Sequence, residues 1–236
     1  MDTIQDIEKK IGVKFKNKDL LKQAFVHRSY LNENKNFPLD HNERLEFLGD
    51  ACLELVVTEY LYNNYPNPEG ELTNWRAALV KGVMISKIAR SLGYEDHLLL
   101  SKGEAKSTGR ARELILANTF EAVLGAMYLD QGYLVVDKFI KKHLITHLPE
   151  IIEQELYYDS KSRLQEIVQE KTGITPTYVV EKEEGPDHAK IFTMVVMIGN
   201  TKITKGDGPS KQSAEQDAAK AALPIWEGIV NPLDTL

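Results

Sequence analysis

Up to about residue 147 the apolar positions recur every third or fourth residue, the spacing that gives a helix one buried stripe. Asn17 can cap a helix through Leu20, Leu21, Ala24 and Phe25, and Gly12 can end the helix before it. The spacing predicts a long helix over 42–62, a break after it at Pro66 and Pro68, and further helices over 73–92, 110–129 and 134–147. No strand hairpin is evident in this half, which therefore reads as all-α.

After an acidic stretch from Pro149 to Tyr158 the period changes. A helix near 160–171 gives way to Thr177-Tyr178-Val179-Val180 and then to Phe192-Thr193-Met194-Val195-Val196, which alternate with a period of two. Gly199-Asn200 supplies a tight turn into Thr201-Lys202-Ile203-Thr204. Ser210 is placed to cap a last helix, whose Ala214, Ala218, Ala221 and Ala222 make a small-residue face able to lie close on a sheet. The order is α-β-β-β-α. The expected organisation is an all-α domain over 1–147, a linker over 148–158 and a small α+β domain over 159–228.

Composition narrows the class. With 42% hydrophobic and 27% charged residues the chain reads as soluble and globular. No apolar run approaches the ~20 residues a bilayer crossing needs, and the start of the chain is polar, so no membrane and a cytoplasmic location are expected. Cys52 is the single cysteine, set in an apolar periodic stretch, and reads as core filler. A net charge of −6 counts against nucleic acid, whose phosphates are met by Lys and Arg. Clustered carboxylates that collect metal ions, however, lower the total while a local basic patch still meets phosphates.

The segment from His41 to Leu55 carries the candidate chemistry. On a helix, Glu43, Glu46 and Asp50 fall within roughly 60° of one another, with Leu45, Leu48, Cys52 and Leu55 opposite. Taken alone, that stripe describes a solvated face, as amphipathic helices commonly have. A second segment, Ile115 to Gly125, sets Asn118 and Glu121 one turn apart in otherwise apolar surroundings, and Gly125 allows another helix to come close. Two such helices face to face gather Glu46, Asp50, Asn118 and Glu121 into an oxygen-rich cluster. Crowded carboxylates repel unless a cation neutralises them, and hard oxygen donors suit Mg²⁺ or Mn²⁺.

The run Asn42-Glu43-Arg44-Leu45-Glu46-Phe47-Leu48-Gly49-Asp50 resembles the signature of the ribonuclease III family. Further pieces follow in that family's order: His27 to Tyr30, Glu69 to Leu72 with Arg76-Ala77, Lys102 to Glu104, and Phe120 to Ala122. The resemblance implies a Mg²⁺-dependent endonuclease for double-stranded RNA, with Mn²⁺ as a substitute. It implies metal binding by Glu46, Asp50 and Glu121, with Asp50 and Glu121 catalytic, and staggered products with 5′-phosphate and 3′-hydroxyl ends. A homodimer and roles in rRNA-precursor and mRNA processing are also implied. Asn118 stands where the family usually has an aspartate; its carbonyl still serves as a ligand, with one negative charge fewer. By the same resemblance Glu43 engages RNA or the subunit interface, Phe47 contacts a second subunit, and Glu69 supports the partner's site. Their plain alternatives are an exposed helix charge, a core aromatic and a loop charge.

Residues 159–223 resemble a double-stranded RNA-binding domain, marked by Gly185-Pro186-Asp187-His188 and by Gly206 to Lys211 leading into Ala214-Glu215-Gln216. A helix amino terminus offers unpaired N–H groups and partial positive charge, so Ser210 and Lys211 suit a phosphate. Gln165 and His188 are assigned to successive minor grooves. Each of these is, singly, also an ordinary surface residue. Gln212 replaces a lysine common in the family, which implies fewer phosphate contacts and a shallower salt dependence.

Other chemistries lack their motifs. Gly103 to Gly109 is followed by Arg110 rather than the Lys of a phosphate-binding loop, and neither a His-Glu-x-x-His zinc helix nor a nucleophile elbow occurs. Two rivals stand beside the nuclease: a double-stranded RNA-binding protein that does not cut, kept open by Asn118, and a metal-dependent hydrolase of small phosphate esters.

Overall fold

The computed structural model describes residues 4–153, 159–186 and 190–227. It separates into two compact units, 1–157 and 158–236.

The first unit is helical. α1 (Ile4–Ile11), α2 (Lys18–Ala24) and α3 (Arg28–Glu33) lead to the long α4 (Glu43–Asn64), followed by α5 (Glu69–Leu79) and α6 (Gly82–Ser91). The long α7 (Gly109–Gln131) comes next, then α8 (Tyr133–His143) and the short α9 (Leu148–Glu153). Asn17 caps α2, its side chain accepting from the Asp19 N–H at 3.0 Å. Gly12 follows α1 in the left-handed region at φ 73°, where a side chain would be strained.

α7 is the centre of this unit. From Ile115 to Met127 almost every residue is buried, with α4 along one side and α2, α6 and α8 around the rest. Asn118 and Glu121, both half-buried, are the polar interruptions of that stretch apart from Thr119, whose hydroxyl donates to the Ile115 carbonyl at 2.8 Å.

Three expectations for this unit need correction. The stretch 73–92 is two helices, because Lys81 is extended at φ −62° and ψ 131°. α5 packs on α4 and α9, whereas α6 packs on α7. One extended residue turns the chain between these neighbours without disturbing the apolar spacing on either side. The helix over 134–147 ends at His143, and a 3-10 turn, Ile145–His147, joins it to α9. The first residues of the stretch read as linker are thus helical, and Leu148 and Ile151 belong to the core of the first unit. Finally, Leu55 is 58% exposed, and the buried stripe of α4 runs instead through Leu45, Gly49, Cys52, Leu53 and Val56.

The second unit follows the α-β-β-β-α order. α10 (Ser160–Thr172) precedes an antiparallel sheet of β1 (Thr177–Glu184), β2 (Ile191–Ile198) and β3 (Thr201–Gly208) in the order β1-β2-β3, and α11 (Lys211–Glu227) closes the unit. Its core joins Leu164, Ile167 and Val168 of α10, Val196 and Ile198 of β2, and Ala218, Ala219, Ala222 and Trp226 of α11. Ala219, not the exposed Ala221, completes the small-residue face. The close approach is made by glycine: a Cβ on Gly206 would lie 2.0 Å from the Ala218 nitrogen.

Candidate active site and RNA-contact surface

Two glycines set where the carboxylates meet. A Cβ built on Gly49 of α4 would stand 1.7 Å from the Glu121 carbonyl oxygen of α7, and one on Gly125 would stand 2.1 Å from the Leu45 carbonyl oxygen. The helices therefore cross backbone against backbone, which no other residue type permits. Glycine within a helix costs about 1 kcal/mol relative to alanine, so a pair of them marks a contact worth more than that. Gly125 was legible in the sequence as a point of close approach; Gly49 lay unassigned inside the signature run.

The crossing brings Glu46 and Asp50 of α4 next to Asn118 and Glu121 of α7. Glu46 is half-buried, and its carboxyl is raised above the usual range by burial and by the charges of Glu43 and Asp50, while a hydrogen bond with the Asn118 side chain opposes the shift. Burial, then Asp50, Glu46 and Glu54, push Glu121 up to about 7. All four oxygen-bearing residues therefore share one electrostatic neighbourhood. Among the described residues no group of three or more His, Cys, Asp or Glu is drawn together closely enough to hold a metal ion. The donors border the same crossing without forming a closed shell among the described residues.

Several pieces of the signature serve to place this site. Asn42 is buried, its side-chain amide donating to the Ala24 carbonyl at 3.1 Å and its backbone N–H to the Val26 carbonyl at 2.9 Å, which fixes where α4 starts. Glu43 is exposed and sits 3.5 Å from Arg28 and 3.7 Å from His41. His27 caps α3, and the Ser29 hydroxyl accepts the Ser101 N–H at 3.1 Å, so the motif piece at 27–30 meets the residue just before the piece at 102–104. Arg112, which sequence reasoning missed, is buried and donates to the carbonyls of Ala105, Ser107 and Glu104, so that it holds the 104–107 turn against α7. Its only sequence signal is a basic residue one turn into an apolar helix.

Phe47 projects into solvent, 82% exposed, on the neighbouring face of α4. It is not the core aromatic that was its plain alternative. Further along, a groove of about 540 Å³ is lined by Leu61, Tyr62, Tyr65, Pro66, Leu72 and Arg76 among others, with Glu69 on its wall. Glu69 lies in the first turn of α5 rather than in a loop, accepting from the Thr73 hydroxyl at 3.0 Å.

In the second unit Gln165 is exposed on α10, and the Ser210 hydroxyl accepts the Ser213 N–H at 3.1 Å, capping α11. Lys211 opens α11, its ammonium 2.9 Å from Glu183 and 5.6 Å from the centre of the Phe192 ring. His188 lies outside the described residues.

Comparison with known proteins accounts for this arrangement. The Ribonuclease-III-like family profile matches residues 17–148, and the double-stranded RNA binding motif profile matches residues 160–224. Ribonuclease 3 of Streptococcus thermophilus is 46% identical over 93% of this chain and 96% of its own length. Ribonuclease 3 of Leptospira interrogans is 43% identical over 92% of this chain and 88% of its own. A crystal structure of the nuclease domain of ribonuclease III from Campylobacter jejuni superposes with a TM-score of 0.56 at 37% identity, covering 63% of this chain and 98% of that one. The helical unit and the α-β-β-β-α unit that follows it in the chain thus match the two domains of these relatives, and this chain belongs to the ribonuclease III family of endoribonucleases.

Proposed function

We propose that the chain hydrolyses phosphodiester bonds of double-stranded RNA with the help of Mg²⁺, for which Mn²⁺ substitutes, at the crossing of α4 and α7. The observation that carries this reading is the pair of raised carboxyls, Glu46 and Glu121, brought near one another across Gly49 and Gly125. Bringing these groups together costs the fold stability, and a hard divalent cation is the partner that offsets the cost. Glu46, Asp50 and Glu121 are its anionic ligands, and Asn118 contributes a neutral carbonyl oxygen. When bound, such an ion supplies an activated water and stabilises the leaving oxygen.

The chain's own residues do the rest. Asp50 and Glu121 would hold the ion beside the scissile phosphate, and burial together with the charges of Asp50, Glu46 and Glu54 keeps the Glu121 carboxyl at about 7, where it can hold or release a proton near neutral pH. Asn118 keeps Glu46 oriented through the amide hydrogen bond. The products are expected to carry 5′-phosphate and 3′-hydroxyl ends with a short 3′ overhang.

The small unit supplies the grip: Gln165 and His188 toward minor grooves, Ser210 and Lys211 toward phosphate, on a domain that spans about 16 base pairs by shape. Two copies complete the enzyme in this reading. In a second structure of the Campylobacter jejuni nuclease domain, 36% identical with a TM-score of 0.56, structural flexibility falls in the region involved in dimer formation. Here the exposed Phe47 and the aromatic groove beside Glu69 offer a projection and a recess to a second copy. Precursor rRNA and mRNA duplexes in the cytoplasm are the substrates this assignment points to; no described helix is long and apolar enough to cross a membrane.

Incubating the purified chain with a long perfect RNA duplex, with and without Mg²⁺, and resolving the products on a denaturing gel tests the reading. Metal-dependent fragments, lost in Glu121→Gln, support it. A stable gel shift with the duplex intact at every metal concentration supports the alternative favoured by Asn118, a protein that binds and does not cut.

A further inference from the structure

Several lysines of the small unit are already matched to acids. On the sheet, Lys202 and Lys205 reach Glu181 at 3.4 and 2.5 Å, and Lys182 reaches Glu184 at 2.6 Å. The pair between Lys211 and Glu183 differs from these because Lys211 is the cation at the capped start of α11, facing the place assigned to phosphate.

The register explains why Glu183 is the residue that meets it. Glu183 pairs with Phe192, and Phe192 pairs with Gly208, so the three form one row across the sheet. That row faces α11, since a Cβ on Gly208 would lie 2.3 Å from the Ser213 hydroxyl and 2.6 Å from the Ala214 nitrogen. Earlier in β1, Tyr178 and Val180 stand opposite Val196 and Met194, so even-numbered residues take that face. The register shift between Val180 and Lys182 reverses the parity. Without it, Lys182 and Glu184 rather than Glu183 would share the face of the lysine. With it, the chain from Gly208 through Ser210 returns Lys211 over the Phe192 ring and onto the Glu183 carboxylate. The same lysine, with Lys190, holds the Glu183 carboxyl below its usual range.

From this geometry we propose that Glu183 is an internal competitor for RNA phosphate: it occupies Lys211 in the free protein, and duplex RNA binds by displacing it. This rests on the reading of Lys211 as a phosphate contact. Two consequences follow from the exchange of one anion for another. Binding gains less from Lys211 than an unpaired lysine would give, and fewer counterions are released, which flattens the salt dependence. With Gln212 in place of a second lysine, the setting of Lys211 weighs heavily on affinity. The Phe192 ring under the ammonium keeps the lysine extended toward the same spot in both states, so that the competitor tunes the grip without disordering it.

The test uses the full chain in EDTA, where no cleavage occurs, and a fluorescent RNA duplex of about 16 base pairs, the span of one such domain. Anisotropy titrations across a range of salt compare the parent, Glu183→Gln, Lys211→Ala and the double variant, with Glu184→Gln as a control for loss of one negative charge on the same strand. Glu183→Gln is expected to tighten binding about two- to five-fold at low salt, the range an exposed ion pair is worth, and to steepen the salt slope. In the Lys211→Ala background the same change is expected to do nothing. An unchanged affinity in Glu183→Gln, while Lys211→Ala weakens binding, overturns the competition and leaves the phosphate contact standing. Equal tightening by Glu183→Gln with and without Lys211, or by Glu184→Gln, also overturns it, as a general charge effect. If Lys211→Ala binds as the parent does, the RNA-grip reading itself falls.

Discussion

Replacing Glu121 by glutamine is expected to make the metal-free protein more stable while destroying its activity. Its carboxyl ionises at about 7 in the folded chain instead of the ordinary 4.5, because burial and the charges of Asp50, Glu46 and Glu54 all disfavour the anion. Each unit is worth about 1.4 kcal/mol, so full ionisation costs the fold about 3 kcal/mol, or about 2 after discounting for the solvent that still reaches this half-buried group. The sign follows from proton linkage. The folded state binds the proton more tightly than the unfolded state, so the favourable contribution is whole below pH 4.5 and is lost as pH rises to about 7. Glutamine has no proton to lose. Thermal melts in EDTA should therefore coincide near pH 4.5 and diverge by pH 8, where Glu121→Gln melts about 4–8 °C higher, at 2–4 °C per kcal/mol for a unit of this size. Adding Mg²⁺ at pH 8 should raise the parent's midpoint and leave that of the variant nearly unmoved. A variant that melts below the parent at pH 8, or a difference independent of pH, refutes the picture of mutually repelling acids.

Three further expectations follow from the same geometry. Gly49→Ala drives a methyl into the Glu121 carbonyl at 1.7 Å, and separating two backbones should cost about 3 kcal/mol or more, read by denaturant melts, with cleavage lost even where the fold survives. Asn118→Asp adds the missing charge and removes the amide that steadies Glu46; calorimetry should show divalent affinity rising about tenfold, the effect of ~1.4 kcal/mol, while the metal-free melting point falls. Phe47→Ala removes an 82%-exposed ring and should shift sedimentation toward the monomer with helix content unchanged by circular dichroism.

What the sequence made legible depended on how local the physics was. The period of 3.6 identified α4 and α7 because their contacts run along the helix, and the period of two identified β2 because its alternate residues face one core. The break at Lys81 left only Gly82 as a signal, since a single extended residue preserves the apolar spacing of both flanking helices. Likewise α9 was hidden among the acids of 149–158, and its Leu148 and Ile151 were too few to show a period, although they complete the core of the helical unit. The site was legible as residues and less so as geometry. Glu46, Asp50, Asn118 and Glu121 were named from chemistry and resemblance, and the two helices carrying them do cross. That the acids border the seam, instead of lying opposite the apolar stripe, follows from Gly49, whose burial against α7 rotates the packed face away from Leu55. The Lys211–Glu183 pair was beyond reach because it depends on a β-bulge, and a bulge changes which residues share a face without changing their spelling.

Whether Glu46, Asp50 and Glu121 jointly hold a divalent ion can be read by counting free Mn²⁺ with electron paramagnetic resonance as it is titrated into the full chain at pH 8. Saturable uptake is expected for the parent, weakened when any one of the three is replaced by its amide and abolished when all three are. Undiminished uptake in the triple variant would contradict a shared site and move the ion, and the chemistry, elsewhere.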